Sequence, residues 1–278
     1  MKDYKWWQSG VIYQIYPRSF FDSNNDGIGD INGIIQKLDY LQWLGIEAIW
    51  LSPINKSPMY DFGYDISDYY DIDPSYGTME DFDRLIEEAH KRNIKIIMDL
   101  VVNHTSHLHK WFIKSRSSPD NDKRNWYIWR KGKNGAPPNN WKSAFGGSAW
   151  ELDIETGEYY LHSFLKEQPD LNWRNSDMRN AIYKMVRFWL DKGVAGFRLD
   201  VVNWFVKDEK FRDNPWTIRP LNPERHKYDR NRPEVHQYLK ELRKVIDEYD
   251  NRMTVGEVFT LPPGDPELSA SFLGNGHD

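Results

Sequence analysis

Short apolar runs alternate with helical patterns along most of this chain. Val11-Ile-Tyr-Gln-Ile-Tyr16 reads as a strand. Asp30 then caps a stretch in which Ile34, Ile35, Leu38, Leu41 and Leu44 recur at helical spacing, and Gly45 closes it. Ala48–Leu51 is the next strand. Thr78-Met-Glu-Asp81 has the form of a capping box, with Asp where Glu or Gln is usual. It opens a helix over Met79–Lys91 whose apolar positions are Phe82, Leu85, Ile86 and Ala89. A third strand covers Ile94–Val102. A helix from Ser176-Asp177 through Trp189, closed by Gly193, leads into a fourth strand starting at Gly196. Pro233 suits the first residue of a helix running to about Glu248, and a fifth strand ends at Glu257.

Strand alternating with helix implies a parallel sheet, and near-continuous apolar strands imply burial on both faces. The class is α/β, and the choice lies between a barrel and a doubly wound open sheet. No Gly-x-Gly-x-x-Gly follows the first strand, which removes the main argument for a dinucleotide fold. Polar residues at the ends of several strands fit a barrel. The third connection is abnormal, because about 70 residues separate the strand from the next helix and loops that long normally carry structure of their own. The organisation expected is therefore residues 1–103 as the first part of a (β/α)8 barrel, 104–172 as a small inserted domain, and 173–278 as the barrel resumed.

The chain has 278 residues, 39% of them hydrophobic, enough for a sizeable core. A net charge of −5, from 37 basic and 42 acidic residues, gives no pull toward nucleic acid or anionic membrane. With no cysteine, disulfides and thiolate metal sites are excluded. Neither a secretory h-region nor an apolar run of membrane-spanning length is visible, so a cytoplasmic setting is expected. Aromatic residues reach 15%, including 13 Trp and 16 Tyr. Such rings stack on sugars and also suit protein interfaces, and composition does not choose between these uses.

The chemistry sits at strand ends. Gly196-Phe-Arg-Leu-Asp200 and Met253-Thr-Val-Gly-Glu257 each finish in an acid. At the C-terminal face of a barrel, a paired Asp and Glu suits acid–base and nucleophilic work on one glycosidic bond. The same two acids could simply cap following helices. Arg198 lies two residues before Asp200, on the same side of the strand, and would keep its carboxylate ionised. Glu257 would need a raised pKa to act as an acid. Asp99-Leu-Val-Val-Asn103-His104 places a polar pair at the end of the third strand. Asp61-Phe-Gly-Tyr64 follows the second, where Asp61 could equally be a turn former before Gly63.

Together, Asp99-Leu-Val-Val-Asn103-His104, Gly196-Phe-Arg-Leu-Asp200-Val-Val-Asn203, the strand end at Glu257 and Gln168-Pro-Asp-Leu-Asn172 resemble glycoside hydrolase family 13, the α-amylase family, in its oligo-1,6-glucosidase and α-glucosidase branch. The resemblance covers essentially the whole chain. It implies a retaining double displacement, with Asp200 as nucleophile and Glu257 as acid and then base, two carboxylates that lie about 5–5.5 Å apart in retaining enzymes. It implies that His104 and Arg198 bind the terminal glucose, that Asp61 binds the non-reducing end and that Tyr64 stacks on it. Phe145, Phe164 and Gln168 are further pocket candidates that core packing would explain nearly as well. Val201 resembles the mark of α-1,6 cleavage, although a β-branched residue is ordinary in a strand. Substrates would be short α-glucosides. Isomerase or transglucosylase activity shares these first steps. A non-catalytic family relative would be expected to have lost the catalytic residues that this chain keeps.

Asp22-Ser-Asn24-Asn-Asp26-Gly-Ile28-Gly-Asp30 alternates oxygen ligands around a glycine turn and resembles the first part of an EF-hand loop. It implies a structural Ca²⁺ or Mg²⁺ held by Asp22, Asn24, Asp26, Asp30 and the Ile28 carbonyl, and a metal-free Asx-turn loop is the alternative. No organic cofactor is expected. His104, His107 and His109 match no standard zinc spacing. The basic stretch Arg219–Arg232 carries interspersed acids and reads as a solvated loop. The family's third carboxylate belongs to a His-Asp pair after the seventh strand. Terminal His277-Asp278 does not supply it, since only about 20 residues follow Glu257, too few for two more strand-and-helix steps. Ser269–Asp278 reads as loop. The expectation is a fragment of a longer α-glucosidase, a monomer or weak oligomer, inactive as this piece alone.

Overall fold

The computed structural model describes residues 4–218, 223–260 and 265–273. Five strands make one sheet: β1 (Ile12–Ile15), β2 (Ala48–Leu51), β3 (Lys95–Leu100), β4 (Gly196–Leu199) and β5 (Met253–Gly256). They lie side by side in chain order. β1 runs parallel to β2, with Ile12 opposite Ala48, and β2 runs parallel to β3, with Ala48 opposite Lys95. A doubly wound sheet reverses its strand order at a switch point. No reversal occurs here, and the five strands follow the winding of a (β/α)8 barrel. All four residues of β4 are buried, as a strand covered on both faces requires. Gly196 has a steric reason: a Cβ there would lie 2.2 Å from the carbonyl oxygen of Met253 on β5.

The connecting helices follow their sequence signals with some differences. The Thr78 capping box forms with both of its hydrogen bonds, and Met79–Lys91 buries Phe82, Leu85 and Ala89. Ser176–Asp191 buries Met178, Ile182, Met185, Val186 and Trp189, one stripe at helical spacing. The helix expected over residues 34–44 is two helices, Ile31–Gln36 and Leu38–Leu44. Asp30 caps the first, and Lys37 at φ −102°, ψ 2° breaks the run. The Pro233 helix starts at Val235, and β3 ends at Leu100, two residues early. Several short elements went unforeseen, the helices Trp6–Ser9 and Pro17–Phe20 among them. One is an antiparallel pair, Asn55–Lys56 with Asp68–Ile72. Another is a helix, Pro266–Ser271, whose last three residues fall in the Ser269–Asp278 stretch that reads as loop. Asp265 caps it by accepting from Leu268 N–H, with Pro266 at the first helical position.

The chain divides into two compact units. One holds the N-terminal part through Leu100 with Tyr183–Arg198 and Lys244–Val255; the other holds Val101–Ile182, Leu199–Arg243 and the chain from Gly256 on. The first contains nearly all of the five-stranded sheet. The second contains a three-stranded antiparallel sheet in which Glu158–Leu161 lies between Trp129–Arg130 and Trp150–Asp153. Its core is aromatic: Trp141, Trp150 and Ile128 pack together, and Phe112 contacts Tyr127, Trp129 and Tyr160. Eight of the 13 tryptophans are buried, seven of them in this unit, so the excess of indoles largely builds its core. Among the described residues, no helix is long and apolar enough to cross a membrane.

Candidate active site

In the second unit the two acid-bearing segments are tied together residue by residue. Asp200, 6% exposed, follows β4 directly. The Glu257 N–H donates to Leu199 O at 2.9 Å, and the Val202 N–H donates to Glu257 O at 3.0 Å. Between these, the Val201 N–H donates to Oε2 of the Glu257 carboxylate at 3.2 Å. Asn203, fully buried, extends the clamp. Its Nδ2 donates to Phe259 O at 2.9 Å and its Oδ1 accepts from Phe259 N–H at 3.1 Å. The same amide donates to Asn231 Oδ1 at 2.7 Å. Gly256 keeps the segments close, since a Cβ there would lie 3.3 Å from both Val202 methyl groups.

A second group in this unit brings two motifs into register. The backbone at 103–107 pairs with 167–171 through Leu171 N to Asn103 O, Thr105 N to Pro169 O and His107 N to Glu167 O. That pairing puts His104 against Gln168, with their Nε2 atoms 3.1 Å apart. Gln168 Oε1 accepts from Leu165 N–H, which leaves its NH₂ group toward the imidazole. His104 packs on Phe164, Phe164 stacks on Trp204, and Phe145, largely exposed, meets Phe164 edge-on. Beneath them lies a buried ion pair. Lys207 Nζ stands 2.6 Å from Asp170 Oδ2 and donates to Asn103 Oδ1 at 3.0 Å and Trp204 O at 2.5 Å. Burial pulls the Lys207 ammonium below its ordinary pKa, against the Asp170 charge. Asp170 also accepts from the Ser163 N–H at 2.9 Å.

The first unit holds Arg198, Tyr64 and Asp61. Arg198 Nη1 donates to both oxygens of Asp99, at 3.0 and 3.2 Å. Oδ2 of Asp99 also accepts from Tyr64 OH and Trp50 Nε1, each at 3.2 Å. Burial pushes the Asp99 carboxyl up to about 6, against the pull of the Arg198 guanidinium. Asp61 lies in a turn wound around buried Asp65, which accepts from the Tyr60 and Asp61 N–H groups and from Ser57 Oγ. Phe62 and Gly63 take positive φ within it, and the Tyr64 N–H donates to Asp61 O at 2.9 Å. Asp61 is thus part of a built turn, whatever else it does.

The Asp22–Asp30 loop is a chain of Asx turns. Asp22 accepts from the Asn24, Asn25 and Gly27 N–H groups, Asn24 Oδ1 from Asp26, and Asp26 Oδ1 from Ile28. The Gly27 N–H, foremost among these donors, holds the Asp22 carboxyl below its usual range. Asp30 differs, because its Oδ1 caps a helix at Gly33 and its Oδ2 accepts from Ser23 N–H and Oγ. Among the described residues no three His, Asp or Glu side chains converge on a metal position. The donor set here is Asp, Asn, Asp and a carbonyl, hard oxygens throughout, which fits a cation such as Ca²⁺. His109 has a structural role. It is buried, its Nδ1 accepts from Trp111 N–H as a helix cap, and burial lowers its pKa to about 3. His277-Asp278, and Arg219 to Asn222 of the basic stretch, lie outside the described residues.

Sequence reasoning gave no role to Asp99, Asp170 and Asn203, although its motifs contain them, and did not reach Lys207. Asp99 alone carried a local signal, an acid inside an apolar run, which a buried strand must pair.

A singly wound β/α sheet with carboxylates at consecutive strand ends defines the class, and the chain belongs to the alpha-amylase family: residues 14–269 match its catalytic domain. It is similar to the oligo-1,6-glucosidase of Parageobacillus thermoglucosidasius, 57% identical over 259 residues, 93% of this chain and 46% of that protein. It is 52% identical to the trehalose-6-phosphate hydrolase of Bacillus subtilis, over 91% of this chain and 44% of the relative. Among solved structures, the isomaltulose synthase SmuA from Protaminobacter rubrum superposes with a TM-score of 0.87 at 52% identity, covering 92% of this chain and 45% of the other. The chain spans about half the length of the curated relatives it matches.

Proposed function

We propose that this chain carries the nucleophile and the acid/base of a retaining α-glucosidase that releases glucose from the non-reducing end of short α-glucosides. The observation that supports the reading is the clamp of residues 199–203 on 257–259, which holds the backbone on either side of Asp200 against that of Glu257. Asp200 attacks the anomeric carbon while Glu257 gives its proton to the departing glycosidic oxygen. Water then loses a proton to Glu257 and displaces Asp200, so two inversions return the original configuration. The family resemblance implies that His104, Arg198, Asp61 and Tyr64 would serve the terminal glucose, that Phe145, Phe164 and Gln168 are further substrate-binding candidates, and that Val201 would favour α-1,6 bonds. Asp22, Asn24, Asp26, Asp30 and the Ile28 carbonyl would hold a structural Ca²⁺ or Mg²⁺, which would brace the loop and take no part in the reaction. The protein works in the cytoplasm on oligosaccharides, as a monomer or weak oligomer.

In the complete protein, Glu257→Gln lowers kcat/KM on isomaltose by about 10²–10⁴, the contribution of a positioned acid. Freshly released glucose is the α-anomer by NMR; first release of the β-anomer would sink the retaining reading. The likeness to an isomaltulose synthase favours a second reading, glucosyl transfer to a sugar, which shares the first displacement. Product analysis on sucrose, maltose and isomaltose separates the two.

A further inference from the structure

Val201 has left-handed backbone, φ 40° and ψ 50°. There the Cβ of an L-residue crowds its own backbone, most severely when branched. Among the described non-glycine residues with positive φ, five are Asn, which tolerates this region, and Val201 alone is β-branched. Strain of this kind persists where the surroundings over-determine it. The surroundings here are the bonds on either side, Glu257 N–H to Leu199 O and Val202 N–H to Glu257 O. The turn they enforce aims the Val201 N–H at Oε2 of Glu257, 3.2 Å away.

We infer that the Val201 backbone N–H is a positioning group for acid catalysis: it occupies Oε2 of Glu257, so that the transferable proton rides on Oε1. The inference rests on Glu257 being the acid/base. In the first step the Oε1 proton passes to the glycosidic oxygen as its bond to the anomeric carbon breaks and an Asp200 oxygen bonds to that carbon. In the second, water gives its proton back to Oε1 as its oxygen displaces Asp200. The role belongs to the backbone, so a residue that accepts positive φ can fill it without the isopropyl group.

The test replaces Val201 in the complete protein by its α-hydroxy analogue, which exchanges only the N–H for an ester oxygen. Isomaltose needs a proton on its leaving group and 2,4-dinitrophenyl α-glucoside does not. The ester protein loses about tenfold or more in kcat/KM on isomaltose and much less on the aryl glucoside. Val201→Gly, which keeps the N–H and relieves φ, is compared on aryl α-glucosides alone, where linkage preference plays no part, and keeps the wild-type dependence of kcat/KM on leaving-group pKa. Equal losses on both substrates, or none, overturn the inference. Glu257→Gln run alongside separates the two claims. If it too lacks leaving-group dependence, the acid assignment fails; if it shows that dependence and the ester does not, only the Val201 inference fails. Should the ester protein not fold, the amide proton of ¹⁵N-labelled Val201 decides. Its exchange with solvent is slow in the wild type and accelerates in Glu257→Ala, whereas equal exchange in the two proteins overturns the inference.

Discussion

Replacing Lys207 by methionine removes one member of a fully buried ion pair while nearly keeping its volume. Lys207 is 1% exposed and Asp170 is fully buried, so neither charge reaches water. With the ammonium gone, Asp170 keeps its donor at Ser163 but no counter-charge at 2.6 Å. Breaking such a pair from one side costs about 3–5 kcal/mol, because a buried carboxylate is left uncompensated. For a chain of this size 1 kcal/mol is worth roughly 2 °C, so Lys207→Met lowers the melting temperature by roughly 6–10 °C. Lys207→Met/Asp170→Asn removes both charges and recovers a large part of the loss, giving a coupling of about 1–3 kcal/mol in a double-mutant cycle. In the complete protein activity falls as well, since Asn103, beside the His104 ring, loses the donor to its Oδ1. Calorimetry on the three variants measures this. A Lys207→Met protein that melts within 1–2 °C of wild type, or additive effects in the cycle, would refute the reasoning.

Other consequences are as direct. Asp99, raised to about 6, protonates as pH falls through that value, and Arg198 then faces a neutral partner; in the complete protein kcat/KM drops there, and Asp99→Asn abolishes that limb of the profile. Because the folded pKa exceeds the unfolded one, this group adds stability as pH falls from about 6 to about 4, so denaturation curves of wild type and Asp99→Asn diverge with that sign. Gly196→Ala drives a methyl into Met253 O and displaces β5, with loss of soluble protein or a melting point lower by several degrees. Adding Ca²⁺ raises the melting temperature in proportion to the logarithm of its excess over Kd, and Asp26→Asn suppresses the response; indifference of both proteins to Ca²⁺ and Mg²⁺ removes the metal proposal.

Periodicity made the strands and the Thr78 helix legible, because burial on a sheet or along one helix stripe leaves its repeat in the sequence. The pair Asn55–Lys56 and Asp68–Ile72 is too short to leave one. Pro266–Ser271 did carry its signal, Asp then Pro at a helix start, but the helix is only six residues long. The acids at 200 and 257 were readable from their places at strand ends. The support beneath the site was not, since nothing local says that residues 103, 170 and 207 meet. Lys207 looks like any isolated cation until the fold shows it buried beside Asp170. The turn at Val201 was equally hidden, because valine is a residue that positive φ ordinarily excludes.

The central claim is the division of labour between Asp200 and Glu257. A slow substrate, 5-fluoro-α-glucosyl fluoride, should accumulate the glycosyl-enzyme in the complete protein, and peptide mass mapping locates the ester. The account predicts a single labelled peptide carrying the sugar on Asp200. A label on Glu257 or any other residue, or turnover that never passes through a covalent adduct, would contradict it.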